Sequence, residues 1–193
     1  PYNSEAYYLL GLNLLYQGRD EEAYDAFYKA TWSNEQQEMS FYYLAAIDAK
    51  AAGAGLRAPA GDGTHAPAPG TGTAQMRLAR ALSHIERALV KNAHNIKARG
   101  LKAYLLRKLG RAEEAAAWIQ ENLALDPFDF RSGNEQVLLS ENEEAAAKLR
   151  IALNEKMRDF AENYLMTARD YAEFGGFEEA ASLLNACTKE QPM

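Results

Sequence analysis

Paired carboxylates are the groups in this 193-residue chain that most resemble catalytic residues. Two glutamates stand side by side at four places, namely Glu21/Glu22, Glu113/Glu114, Glu143/Glu144 and Glu178/Glu179. Hydrolysis of a glycosidic bond needs two carboxylates that converge across a cleft. Neighbouring residues of a helix point in different directions, so these pairs do not converge by themselves. An alanine follows each pair, which favours a structural role at a helix start.

Histidine and cysteine form no catalytic or metal-binding pattern in the sequence. His65, His84 and His94 lack the spacing of a zinc-binding helix, and Cys187 has no histidine nearby in sequence. Glycine motifs that bind phosphate or hold a nucleophilic serine are missing as well. We therefore expect no catalytic activity, no metal and no cofactor in this chain, and we expect Cys187 to be a buried, unreactive thiol.

The Glu-Glu-Ala triplets recur with a spacing that predicts the architecture. They end at Ala23, Ala115, Ala145 and Ala180, and a related segment without the glutamates ends at Ala81. Successive alanines are 58, 34, 30 and 35 residues apart, so the period is close to 34 once an insertion before Ala81 is set aside. A period in this range is typical of stacked helical hairpins.

Each triplet marks the start of a helix, because negative charge is favourable in the first helical turn. Gly18, Gly110 and Gly175 each lie five residues before an alanine and are expected to end the preceding helix. A large apolar residue four positions after the alanine and a small one seven after it predict a ridge that a neighbouring helix can approach. The pattern predicts helices over residues 4–17, 20–33, 36–52, 75–91, 94–109, 112–125, 132–139, 142–154, 157–174 and 177–189.

The residues inside the repeats point to a known family. The first repeat contains Tyr7, Leu10, Gly11, Ala23, Phe27 and Ala30, and the last contains Tyr164, Ala168, Tyr171, Ala180, Leu184 and Pro192. With this skeleton the chain resembles the tetratricopeptide repeat (TPR) family. The resemblance implies an all-α, right-handed α-solenoid of about five helical hairpins, the fourth abbreviated, as one array over residues 1–193. An irregular helical bundle is the alternative, but it would not keep a fixed period.

A segment rich in alanine, glycine and proline, residues 53–74, interrupts the second hairpin. It contains no aromatic residue and only Leu56 as a large aliphatic one, so it cannot bury enough surface to offset the entropy of ordering. We expect a disordered, flexible loop, with a lid or docking sequence as the alternative. The chain begins with Pro1 rather than methionine, so we also expect it to be a fragment of a larger protein.

Charge and hydropathy bear on the class of partner. The net charge of −6 argues against nucleic-acid binding, and no stretch approaches the roughly 18 apolar residues of a membrane span. Without a signal peptide, a cytoplasmic location is expected. Lys97, Tyr104, Arg107 and Lys108 lie on a basic helix of repeat three and are predicted to bind an acidic partner. The alternative is a solvated helix face balanced by nearby glutamates.

Aromatic residues are concentrated at one end of the chain, with 11 of the 20 in the first 43 residues. By the TPR resemblance, Tyr8, Leu12, Tyr16, Tyr42 and Tyr43 face the inner groove. We predict that they contact a protein, a peptide or a neighbouring domain, because tyrosine buries a large area yet keeps a polar tip. The alternative is that they fill gaps between helices. Peptide-clamping TPR co-chaperones have lysine and asparagine where this chain has Tyr8 and Leu12, so binding of a chaperone tail is not expected.

Two stretches, Glu-Ala-Tyr-Tyr-Leu-Leu-Gly-Leu and Leu-Asp-Pro-Phe-Asp-Phe, are also similar to the TPR tail of large bacterial proteins. Those proteins have an N-terminal β-rich, sugar-enzyme-like domain. The sequence thus predicts a protein-interaction or scaffolding module without catalytic activity of its own. The alternative is an accessory tail of a carbohydrate-active enzyme, in which Trp32 and the tyrosines would stack on sugar rings.

Overall fold

A computed structural model describes residues 3–57, 73–158 and 160–190 of the chain. Within these residues the secondary structure is entirely helical, with ten α-helices. They are α1 (Ser4–Tyr16), α2 (Asp20–Ala30), α3 (Gln37–Arg57), α4 (Ala74–Lys91), α5 (Ile96–Lys108), α6 (Ala112–Leu125), α7 (Phe130–Leu139), α8 (Glu143–Met157), α9 (Ala161–Glu173) and α10 (Phe177–Glu190). A single 3₁₀ turn, Asn34–Gln36, precedes α3.

The helices pack as consecutive hairpins in two compact units, Pro1–Ala98 and Arg99–Met193, whose boundary falls inside α5. In the first unit α1 packs on α2, α2 on α3, and α3 on α4. In the second unit α6 packs on α7, α7 on α8, and α9 on α10. The short α7, with 10 residues, matches the predicted abbreviation of the fourth hairpin.

Glycines end three of the helices, as the repeat pattern predicts. Gly18, Gly110 and Gly175 have φ angles of 73°, 74° and 84°, in the left-handed region that residues with a Cβ atom avoid. Each is followed within a few residues by a helix with two or three acidic residues in its first turn. The stop-and-start signal of the sequence is therefore confirmed at these three turns.

The core of the first unit is aromatic. The fully buried ring of Phe27 stacks on Tyr43 with centroids 4.9 Å apart and meets the edge of Tyr8 at 5.9 Å. A Cβ atom on Gly11 would lie only 2.8 Å from the Phe27 ring, so glycine is needed for this close approach of α1 to α2. In the second unit, a cluster of Val137, Leu153, Met157 and Tyr164 joins α7, α8 and α9.

Six boundaries of the described helices differ from the prediction by two or more residues, and the ends of α3 and α8 are among them. Helix α3 continues to Arg57, so its last turn and a half occupies part of the segment 53–74 that was predicted as a loop. The remaining prediction of disorder, for residues 58–72, lies outside the described residues. Helix α8 ends at Met157 rather than 154, because Met157 is fully buried and Arg158 takes the left-handed conformation that stops the helix.

The alanine ridge also differs in one repeat. Ala23, Ala81, Ala115 and Ala180 are buried as predicted, but Ala145 is exposed. Helix α8 instead buries Leu153 and Met157, one position out of register with the other repeats. Leu153 packs closely against α7, since a Cβ atom on Gly133 would lie only 2.9 Å from the Leu153 Cδ1 atom.

The start of α7 depends on a buried cap. Asp129 accepts hydrogen bonds from the Ser132 backbone N–H (3.3 Å) and from its hydroxyl (2.6 Å), so α7 begins at Phe130 rather than 132. We expect Asp129→Ala to lower the free energy of unfolding by about 2 kcal/mol, measured by urea denaturation. Asn142→Ala, which removes the exposed cap of α8, is the matched control and should cost about 1 kcal/mol or less. Equal losses would show that burial adds nothing to the Asp129 cap.

Candidate partner-binding site

The first unit presents only part of its predicted aromatic surface to solvent. On α1, the side chain of Tyr16 is 88% exposed, and Leu12 is half-buried. Tyr8 is half-buried against Phe27 and Tyr43, and burial raises the pKa of its hydroxyl. On α3, Tyr42 has 0% exposure, with the Nζ atom of half-buried Lys97 5.8 Å from its ring centroid. A partner could not reach the Tyr42 ring without displacing its neighbours, so the prediction that Tyr42 contacts a partner is corrected to a core role.

The predicted basic surface of α5 is occupied by intramolecular ion pairs. Arg107 contacts Glu135 of α7 at 2.6 Å and Glu179 of α10 at 2.8 Å, and Lys108 contacts Glu179 at 2.7 Å. Tyr104 is 4% exposed. These side chains predicted for an acidic partner are thus buried or paired within the second unit, and we correct their predicted partner role to an internal one.

The rest of the basic run on α5 is also engaged inside the second unit. Arg99 and Lys102 lie over the ring of Trp118 at 4.2 and 4.4 Å, in cation–π geometry. The Trp118 indole N–H donates to the Arg99 carbonyl at 3.0 Å, and the Arg99 guanidinium donates to Asn122 at 2.7 Å. Cation–π contacts and a hydrogen bond to the Asn122 amide therefore engage the positive charges of Arg99 and Lys102. From the sequence alone, both charges could have bound a ligand.

A hydrogen-bonded network extends from these ion pairs through α7 and α9. The buried Tyr171 hydroxyl donates to Glu135 at 2.7 Å and accepts from Asn134 at 3.1 Å. Burial opposes the positive charge of Arg107, but Glu135 and Glu179 outweigh it and raise the pKa of Arg107. Burial alone would raise the pKa of Glu179, but the hydrogen bonds from Lys108 and Arg107 have the larger effect, so the pKa of Glu179 is lowered. The positive charges of Arg107 and Lys108 are therefore balanced by the carboxylates of Glu135 and Glu179 within the second unit.

The clearest free surface is the outer face of α1, formed by Ala6, Leu9, Leu10, Asn13 and Tyr16. All five side chains are exposed, including Leu9 at 55% and Leu10 at 47%. They lie three or four residues apart, so they share one stripe of the helix. Leu9 was not predicted to belong to this surface, and Leu10 was predicted only as a TPR skeleton residue. The signal that could have found both is their spacing from Ala6, Asn13 and Tyr16 along one face of the helix.

The repeat itself shows how unusual this exposure is. Thirty-four residues further on, α3 has Leu44 at the place of Leu10, Ser40 at that of Ala6 and Ile47 at that of Asn13. Leu44 and Ser40 are 0% exposed and Ile47 is 7% exposed, and α3 packs on α2. The stripe that α3 buries is thus the one that α1 leaves exposed.

A buried histidine lies elsewhere in the first unit, among α2, α3 and α4. His84 Nε2 is 3.1 Å from the Tyr24 hydroxyl and 3.7 Å from Asp48, whose carboxylate is held by Arg80. Burial, with the charges of Arg80 and Arg87, lowers the pKa of His84 to about 4. Burial and the Asp48 charge raise the pKa of Tyr24 to about 12. Both groups are therefore neutral at pH 7 and share a hydrogen bond inside the first unit.

Other features offer no chemical site. A cavity of about 50 Å³ lies between α6, α7 and α8, beside Phe130, Leu149 and Leu153, and is too small for a peptide or a sugar ring. Within the described ranges, no group of three or more histidine, cysteine or acidic residues is arranged to hold a metal. No described helix is long and apolar enough to cross a membrane.

Comparison with solved structures identifies the fold. YrrB, described as a TPR protein with an unusual peptide-binding site, matches 99% of this chain and 88% of its own, with a TM-score of 0.59 and 16% identity. The fold is that of the TPR proteins. MamA residues 41 to the end, from Desulfovibrio magneticus RS-1, match over 100% of both chains, with a TM-score of 0.62 and 13% identity. Another MamA structure covers 97% of this chain and 91% of its own, with a TM-score of 0.61 and 12% identity.

These likenesses confirm the predicted all-α fold of TPR-like hairpins. No family model matches the sequence, and no curated protein is detectably similar to it. The more specific resemblance to the TPR tail of sugar-enzyme-like bacterial proteins has no counterpart among the three TPR structures named above. That resemblance stays a prediction.

Proposed function

We propose that this chain is a protein-interaction module of the TPR type, and that its partner docks on the outer face of α1. The observation that supports this is the exposure of Leu10, at 47%, against the complete burial of its repeat equivalent Leu44. Leu9, Leu10 and Tyr16 give α1 an exposed apolar and aromatic face, which is typical of an interaction site.

The equivalent interface inside the chain indicates what kind of partner fits. Helix α3 packs against α2, and Tyr43, the repeat equivalent of Leu9, stacks on Phe27 of that helix. Helix α2 also buries Ala26 and Ala30. Small residues allow two helix backbones to approach closely, and a large one fills the groove between them. The proposed partner surface is therefore an amphipathic helix with a similar alternation of small and large apolar residues. It can belong to a separate protein or to another domain of the same polypeptide.

The comparison with YrrB agrees with a protein or peptide partner, since that protein is described by a peptide-binding site. No observation favours the alternative of an accessory tail on a carbohydrate-active enzyme, although Trp32 is 65% exposed. We further propose that the chain has no catalytic activity of its own, because His84 and the paired carboxylates at the helix starts have structural roles.

The test replaces leucine by glutamate on the outer face of α1. We expect Leu10→Glu to weaken partner binding at least about tenfold, because a central apolar contact at an interface is worth about 1.4 kcal/mol or more. Binding is measured by affinity capture followed by titration of the purified partner. Val90→Glu, at an 83% exposed site on α4, is the matched control and should bind as the unmodified chain does. Equal loss in both variants, or in neither, would contradict a role for α1.

A further inference from the structure

Arg150 on α8 differs from the other buried or half-buried cations that form ion pairs in the second unit. Arg107, Lys108 and Arg131 each contact a carboxylate, the last one Asp170 at 3.4 Å. Arg150 is half-buried, and its Nη1 atom donates to the amide oxygen of Asn134 at 2.7 Å. Within the part of the chain that the structure describes, no carboxylate lies at salt-bridge distance from the Arg150 guanidinium.

The described side chains that are shown to act on Arg150 are Asn134, Tyr164 and Tyr171, none of which is a carboxylate. Three and four residues away on α8 lie Ala146, Ala147, Leu153 and Asn154, so the helix itself offers no acidic partner. By contrast, Lys148 on the same helix contacts Glu144 at 2.6 Å. Across the interface, Asn134 passes the hydrogen bond to the Tyr171 hydroxyl, which donates to Glu135, and that carboxylate is already matched to Arg107.

A half-buried cation without an anion is an energetic cost to the folded chain. Burial lowers the pKa of Arg150, which shows that its surroundings disfavour the charge. Removing a charge from water without a counter-charge is unfavourable, whereas an added anion recovers Coulomb energy and hydrogen bonds. The guanidinium has five N–H donors, and the bond to Asn134 uses one of them.

We infer that Arg150 anchors an oxyanion site, which takes a carboxylate or phosphate group through the free N–H groups of the guanidinium. Planar, two-point binding of these groups is the recognition that arginine performs best. The oxyanion comes from either a dissolved anion or an acidic side chain of a protein. This inference stands apart from the proposed docking on α1, because Arg150 lies in the second unit and Leu10 in the first.

The experiment titrates the folded chain with sodium phosphate and, separately, with a hexaglutamate peptide, at an ionic strength fixed with chloride. Binding is followed by the arginine Nε–H signals in ¹⁵N–¹H NMR spectra and by the rise in melting temperature. We expect saturable binding of at least one probe, with a shift of the Arg150 signal. The probe that binds more tightly identifies the source, phosphate for a dissolved anion and hexaglutamate for an acidic protein segment.

Three variants keep the inference falsifiable. Arg150→Gln should weaken the binding at least about tenfold, because a charge-assisted hydrogen bond is worth roughly 1.5–3 kcal/mol. Arg150→Lys should retain part of it, and Arg169→Gln, at an exposed site on α9, should bind as the unmodified chain does. Each dissociation constant is measured within one variant, so a change in basal stability does not enter. Unsaturable binding to the unmodified chain, or equal affinity in Arg150→Gln, would overturn the inference.

Discussion

Replacing Glu135 by alanine is expected to lower the free energy of unfolding by about 3–5 kcal/mol, the usual cost of removing one partner from a buried ion pair. Glu135 is 0% exposed and accepts hydrogen bonds from Arg107 and from the Tyr171 hydroxyl, which is itself buried. The substitution would leave Tyr171 without an acceptor on that side and would leave Arg107 dependent on Glu179 alone. Urea denaturation followed by far-UV circular dichroism measures the loss.

The matched control is Glu144→Ala, which removes a carboxylate from an exposed pair. Glu144 contacts Lys148 at 2.6 Å, the same distance as between Arg107 and Glu135. The side chains of Glu144 and Lys148, however, both face solvent. Exposed pairs of this kind contribute about 0.5 kcal/mol or less. If Glu135→Ala cost no more than Glu144→Ala, the buried network would have to be held by other contacts. A double variant, Arg107→Met with Glu135→Leu, should recover part of the stability, because it removes both charges together.

The turns of this fold could be predicted from sequence because their signals are local. A glycine such as Gly18 or Gly110 and the two glutamates of the next helix lie within five residues of one another. The end of one helix and the start of the next can therefore be read from one short segment. The Asp129 cap is local too, because Ser132 lies three residues further on, and the prediction of a helix from residue 132 missed it. The sequence places a candidate cap three residues before Ser132 but does not show that both side chains are buried.

Pairing between helices could not be predicted, because it depends on helix rotation. Arg107 meets Glu135 and Glu179, which are 28 and 72 residues away, and no local pattern marks them as partners. Glu179 also belongs to a Glu-Glu-Ala triplet. Its position at a helix start already explained the residue, so its ion pairs with Arg107 and Lys108 were not predicted. Ala145 shows the same limit. It keeps the repeat spacing yet is exposed, so the spacing alone did not show which face of α8 is buried.

Acidification from pH 6.5 towards pH 4 is expected to destabilise the chain through His84. The pKa of this histidine is 6.5 in an unfolded chain and about 4 in the folded one, mainly because the ring is buried. Below pH 6.5 the unfolded state therefore binds the proton more strongly, and stability falls with pH until the folded form is protonated too. Since a tenfold change in proton affinity is worth about 1.4 kcal/mol, the full loss is about 3 kcal/mol. Urea denaturation at a series of pH values measures it.

The comparison with His84→Gln separates this histidine from the other groups that titrate in the same range. Asp48 has a pKa raised by burial and acts with the opposite sign, because its protonation is easier in the folded chain. Asp48 is present in both proteins, so the difference between their pH profiles isolates the imidazole. That difference should change by about 3 kcal/mol between pH 7 and pH 4, in the direction that disfavours the unmodified chain at low pH. Parallel profiles for the unmodified chain and His84→Gln would mean that the Asp48 carboxylate, despite its pairing with Arg80, compensates the charge on the ring.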